Sequence, residues 1–260
     1  MNPLGLPETL LSRVEDAGIN ASAPPQQRWI DGWLVRTSPG KAKRARCVQA
    51  VADGRLPLAE RLALCAEVYR AAQLPMVLRL TPFSRPAGLD RVLAGQGYQR
   101  LDDTRVMVLP QLPQAPEPLP PGWVLEALAP AAFAEAVGAL RGSPAGQRAA
   151  QAERLALSPV PFQAWALRRR DDGAILACGQ AAAEAELVGL YDVFTHPQAR
   201  GQGLARQLCV SLLAHARQAG ARVAYLQVEA DNHAARSVYH RLGFADGYAY
   251  HYRTTEADLH

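Results

Sequence analysis

The sequence of 260 residues predicts an α/β chain of the α+β type, folded as two similar lobes. Three observations lead there. Helical stripes alternate with short apolar strands and Asp-Gly hairpin signals, a run of prolines divides the chain, and elements of the second half repeat those of the first. With 49% hydrophobic and 20% charged residues, the composition is that of a protein that buries a core. No apolar run approaches the roughly 20 residues of a membrane span. Residues 1–7 show no basic region followed by an apolar block, so a soluble, cytoplasmic protein is expected.

In the first half, residues 29–33 read as a hairpin centred on Asp31-Gly32. Leu58, Leu62, Cys65, Tyr69 and Ala72 form one helical stripe, followed by a strand over 76–80, a short helix over 87–93 and a strand over 105–109. The run 110–121 holds repeated prolines, which fix φ and remove donors, so a stiff, extended connector is expected there. It sets the predicted domains at 1–110 and 122–260, joined by a linker at 111–121.

The second half opens with a strand over 123–125 and helices over 131–140 and 147–157, the latter behind Pro144. Strands over 162–168 and 174–183 flank the turn Asp171-Asp172-Gly173, and another over 187–195 stops at His196-Pro197. Leu204, Leu208, Leu212, Leu213 and Ala216 share a helix face that Gly220 terminates. A strand over 223–228 precedes a helix capped by Asn232, with Ala235, Val238, Tyr239 and Leu242 inward and Gly243 at its end; 248–253 is the last strand. Shifted back by 146 positions, Leu204 falls on Leu58, Leu208 on Leu62, Val223 on Val77, Gly243 on Gly97 and Phe244 on Tyr98. The shared order of helix, strand, helix and Gly-aromatic predicts a duplication.

Several function classes drop out. Cys47, Cys65, Cys178 and Cys209 lie far apart and read as core thiols, not a zinc cluster or disulfide scaffold. The six histidines form no H-x-x-x-H pair, so no metal is expected. With 28 basic against 24 acidic residues the surface is mixed, and nucleic acid is not an expected partner. The basic run 41–46 reads as a solvated edge.

The informative stretch turns through Arg200-Gly201-Gln202-Gly203 between the strand over 187–195 and the next helix. Glycines let a ligand approach the backbone, and a helix start presents unpaired N–H groups with a positive dipole end, so this is a phosphate cradle. The P-loop pattern fails for want of G-K-[ST], and G-x-G-x-x-G fails because Arg206 stands at the third glycine. What fits is R-x-x-G-x-A, carried by Arg200, Gly203 and Ala205. Further on come Asn232, Ala235, Tyr239 and Gly243-Phe244, as N-x-x-A, Tyr and Gly-Phe.

Both blocks, in this order, resemble the GCN5-related N-acetyltransferase (GNAT) superfamily over essentially the whole second lobe. The resemblance implies two GNAT-like lobes, each a mixed, mostly antiparallel sheet flanked by helices, with a splayed parallel strand pair at the site. It implies direct transfer of an acetyl group from acetyl-CoA to a primary amine, with no metal. By the same resemblance, Arg200, Gly201, Gln202, Gly203, Leu204 and Ala205 hold the pyrophosphate. Val193, Phe194, Thr195, Asn232 and Ala235 meet the pantetheine arm, and Tyr239 is the general acid. For the base, Glu184, Glu186, Asp192 and Glu229 all lie on or beside the slot strands, and Asp192 is the candidate nearest the transfer point. In the first lobe Gly54 replaces Arg200, Pro57 replaces Gly203, Pro86 replaces Asn232 and Leu93 replaces Tyr239, so one cosubstrate site is expected, not two. The alternative reading is an acyl-CoA-binding sensor without turnover. The acceptor, a small-molecule or peptide amine, stays open, as does a homodimer.

Overall fold

The computed structural model describes residues 2–38 and 42–255; Lys41 of the basic run and His260 lie outside the described residues. In chain order its elements are α1 (Glu8–Ala21), β1 (Gln27–Ile30), β2 (Trp33–Arg36), β3 (Val48–Gln49), α2 (Leu58–Ala71), β4 (Leu78–Leu80), α3 (Leu89–Gly95) and β5 (Gln99–Leu109). There follow β6 (Trp123–Leu128), α4 (Pro130–Arg141), α5 (Ala145–Ala156), β7 (Phe162–Arg169), β8 (Ile175–Glu184) and β9 (Leu187–Thr195). The chain closes with α6 (Leu204–Gln218), β10 (Val223–Glu229), α7 (His233–Arg241) and β11 (Ala245–Thr254).

The chain forms two compact units whose borders differ from a cut at the linker. One holds residues 2–21 with Val106–Val228 and Asn232–Gly247; the other holds Ser22–Arg105 with Glu229–Asp231 and residues 248–255. An exchanged strand explains the difference. β4 takes as its antiparallel neighbour β11, the last strand of the chain, through pairs such as His251↔Leu80, and not β5, which follows α3. Asp90 on α3 secures the incoming strand by accepting from His251 Nε2 and Arg253 Nε, each at 2.7 Å.

In the larger unit β6, β7, β8 and β9 run antiparallel in turn and β10 joins β9 in parallel, so the sheet is mixed and mostly antiparallel as expected. Its core lies under α6, whose apolar residues Leu204, Leu208, Leu212 and Leu213 meet Val188, Leu190 and Leu226 from the sheet. Leu208 is fully buried. Leu208→Ala is therefore expected to lower unfolding free energy by about 2–5 kcal/mol, read from chemical denaturation. A change below about 1 kcal/mol would show that α6 is not pinned to the sheet here.

The proline-rich linker forms neither helix nor strand, bends at residues 110–111 and 114–115, and is strapped to α6. Arg206 Nη1 and Nη2 donate to the Glu117 carboxylate at 2.5 and 2.6 Å, and Gln207 Nε2 to the carbonyls of Glu117 and Pro118 at 3.0 and 3.1 Å. Arg206, the residue that breaks the dinucleotide pattern, thus has a structural task, and it holds the Glu117 carboxyl below the usual range.

In the smaller unit, β1 to β3 pair antiparallel and β3 joins β4 in parallel, repeating the β9/β10 arrangement. The repeat is truncated where it matters. Val48 pairs with Leu78 and lies ten positions before Leu58, whereas its counterpart Val188 pairs with Ala224 and lies sixteen before Leu204. Six residues are missing, those that carry β9 beyond its parallel partner. Two elements escaped the sequence reading: β3 has only two residues, and α1 builds its buried side partly from Ala17, Gly18 and Ala21.

Candidate active site

β9 and β10 start as partners and then separate. Their parallel pairing runs from Val223↔Leu187 to Leu226↔Leu190, after which β9 continues to Thr195 and β10 to Glu229. The cause lies in β9. Its register with β8 slips between Cys178/Gln180, where β9 carries one extra residue, and Asp192 adopts a left-handed φ of 51°. Such a bulge bends the strand and increases its twist, so the end of β9 turns away from β10. Gly179 sits opposite: a Cβ there would meet Val193 Cγ2 at 3.1 Å and Leu208 Cδ2 at 3.3 Å. The expected splayed pair is present, and the bulge breaks the in-out alternation of β9 at Asp192. Residues 191–195 keep β8 on one side and have no strand on the other. The buried Thr195 hydroxyl ends this edge without a partner.

At the end of β9 the chain passes a 3₁₀ turn and enters α6 through Arg200-Gly201-Gln202-Gly203. Gly201 and Gly203 both take φ of 79°, and a Cβ on either would meet nothing within 4 Å. The glycines therefore open onto free space. The N–H groups of Leu204, Ala205 and Arg206 precede the first helical bond, from Gln207 N to Gly203 O at 3.0 Å, and α6 has no side-chain cap. An uncapped helix start behind an open glycine turn suits an anion. Arg200 flanks it, its guanidinium 5.8 Å from the centre of the Phe194 ring.

Asn232 caps α7, its Oδ1 accepting from Ala235 N at 3.1 Å, while Ala235 packs on the core below. One turn further, Tyr239 is 9% exposed and stands edge-on to Phe244 at 6.0 Å. Its hydroxyl has no hydrogen-bond partner among the described residues. Burial pushes its pKa well up, with the Cys209 thiol adding to the effect, so the group stays protonated at any ordinary assay pH.

Asp192 is not a free carboxylate. Its Oδ1 accepts from Arg141 Nη1 at 3.0 Å, and its Oδ2 from Gln151 Nε2 at 3.1 Å and Gln180 Nε2 at 2.8 Å. These donors come from α4, α5 and β8, so one side chain ties three elements to the bulge. Of the other carboxylates weighed as bases, Glu184 accepts from Asn20 at 2.9 Å and Glu186 pairs with Arg13; Glu229 is the exposed last residue of β10. Arg141, Gln151 and Gln180 were missed because they are brought to Asp192 from elements 12 to 51 positions away in sequence. Nothing in their local patterns marks them.

The smaller unit has its own helix start at the matching place, and there an anion is already present. The Asp31 carboxylate accepts from Arg55 N at 2.9 Å and Leu56 N at 3.0 Å, and Arg61 Nε lies 3.0 Å from it. A Cβ on Gly54 would fall 1.9 Å from Asp31 Oδ2, so no space remains for a ligand. Those backbone N–H bonds hold the Asp31 carboxyl below its usual range. The hairpin turn read from Asp31-Gly32 thus also fills the degenerate cradle. Among the described residues no cluster suited to a metal ion is found, and no helix is long and apolar enough to cross a membrane.

The sequence pattern of the acetyltransferase (GNAT) family matches residues 129–244. A mycothiol acetyltransferase of Gordonia bronchialis is 30% identical over 241 residues, covering 88% of this chain and 70% of that protein. A GCN5-related N-acetyltransferase from Kribbella flavida superposes with a TM-score of 0.69 at 19% identity, over 95% of this chain and 96% of its own. A tandem GNAT protein from the clavulanic acid biosynthesis pathway gives 0.62 at 16% identity, over 77% and 70%.

Proposed function

The chain belongs to the acetyltransferase (GNAT) family and is an N-acetyltransferase; from that premise we propose that it moves an acetyl group from acetyl-CoA directly to a primary amine where β9 and β10 diverge. One observation carries the reading. An open, uncapped anion cradle at the start of α6, an unpaired edge on β9 and an unpartnered phenol on α7 lie on the diverging strands and the two helices that follow them.

The bound cosubstrate supplies an activated thioester; the rest is done by the chain. The backbone N–H groups from Gly201 to Ala205, with Arg200 beside them, neutralise the pyrophosphate, which favours a helix start. Val193, Phe194 and Thr195 offer their unpaired edge to the amides of the pantetheine arm, and a backbone N–H there polarises the thioester carbonyl. Asn232 and Ala235 line the arm from α7. As the amine nitrogen bonds to the carbonyl carbon and the C–S bond breaks, Tyr239 gives its proton to the departing sulfur. The nitrogen's surplus proton restores the phenol.

An alkylamine with a pKa of about 10.4 is neutral in only about one molecule in a thousand at pH 7. Asp192 is the carboxylate placed at the bulge. With three donors on it, it serves to hold the amine at the slot, and water carries off the ammonium proton.

The test is release of free thiol from acetyl-CoA on a panel of primary amines, beside calorimetric titration of acetyl-CoA alone. The expected result is binding at one site and amine-dependent thiol release. Binding without release on any amine would instead describe a sensor.

A further inference from the structure

Arg141 and Asp192 form a close ion pair beside the slot, with side chains 35% and 24% exposed. Arg141 closes α4, and its guanidinium lies 5.5 Å from the centre of Phe194, the residue assigned to the pantetheine arm. The pair therefore borders the place where an acceptor must arrive. The same cluster holds a polar atom with nothing to bind. Gln180 is fully buried and donates to Asp192, which leaves its Oε1 buried without a donor. The cluster is one donor short.

We infer that this pair is the acceptor's recognition site and that the acceptor is an amine with a carboxylate on the adjacent carbon, as in an α-amino acid; the inference rests on the N-acetyltransferase reading above. The argument is one of charge exchange. An ammonium group that approaches Asp192 takes the place of the Arg141 guanidinium and brings three N–H donors to a cluster that lacks one. Arg141 is then left beside the slot without its counter-ion, a state whose cost grows as water is excluded. A carboxylate on the incoming molecule removes that cost, since a guanidinium binds it through two parallel hydrogen bonds. Arg141 and Asp192 are in direct contact, so the inserted charges must lie within a few ångströms of one another. An α-ammonium and its α-carboxylate meet that condition; a long polyamine does not.

The experiment measures thiol release from acetyl-CoA with the twenty L-amino acids and with their twenty carboxamides, on wild type, Arg141→Gln and Asp192→Asn. Asparagine tolerates a left-handed φ, so Asp192→Asn keeps the bulge. In the wild type the best amino acid should exceed its own amide at least tenfold in kcat/KM. Arg141→Gln should cut that preference to under threefold, chiefly by raising the acid's KM. Asp192→Asn should lower kcat/KM for acid and amide alike at least tenfold, with the Kd of acetyl-CoA unchanged. Equal use of acid and amide by the wild type, or a preference that survives in Arg141→Gln, overturns the inference. Thiol release on a diamine but on no amino acid overturns it while the N-acetyltransferase reading stands. Bound acetyl-CoA with no release on any amine defeats both.

Discussion

Tyr239→Phe is expected to lower kcat at least tenfold and leave the affinity for acetyl-CoA within threefold of wild type. The two halves of the result have separate causes. In the proposed mechanism the phenol supplies the proton that leaves with sulfur, and proton transfer by a positioned side chain is ordinarily worth about 10²–10⁴-fold. Water takes over part of that role, so tenfold is the lower bound. Binding should not change, because the ring stays packed edge-on to Phe244 and the cradle lies on α6. Folding should not change either. The hydroxyl has no partner among the described residues, so its removal leaves no orphaned group behind. Steady-state kinetics with calorimetry and a thermal melt read all three quantities. Unchanged kcat would remove Tyr239 from the mechanism, and a large drop in melting temperature would make it a structural residue.

Local chemistry made the cradle readable from sequence. Gly201 and Gly203 are required by positive φ, Pro197 ends the strand's run, and the spacing to Leu204 opens a helix; all of this is written within eight residues. The same holds for Asn232, whose cap lies three positions from the amide it serves. The proposed acceptor side was illegible because it is assembled from a distance. The bulge at Asp192 shows as nothing but an aspartate within an apolar strand, and its partners Arg141, Gln151 and Gln180 come from three other elements. Exchange of the last strand was hidden for a related reason. β5 and β11 are equivalent in a duplicated pattern, and apolar periodicity does not say which copy pairs with β4.

Calorimetric titration of the wild type with acetyl-CoA should give one site per chain, and Gly203→Val should abolish it, with an affinity loss of at least a hundredfold. A Cβ at Gly203 meets no protein atom, so the variant has nothing to clash with while it folds. Two effects remain, and both act at the cradle. A β-branched residue at φ 79° costs about 1–2 kcal/mol and pulls the turn out of shape. Its side chain also projects into the open space at the turn, where the proposed cradle receives the phosphates. The stoichiometry tests the other half of the duplication. At the matching helix start Asp31 already receives the N–H groups of Arg55 and Leu56 and the Arg61 guanidinium, and the six residues that would have splayed β3 are absent. A diphosphate would have to displace a covalently tethered carboxylate and then find no slot for the arm attached to it. Two sites in the wild type, or one that survives Gly203→Val, would mean that the internal carboxylate yields to ligand and that the cosubstrate enters the smaller unit.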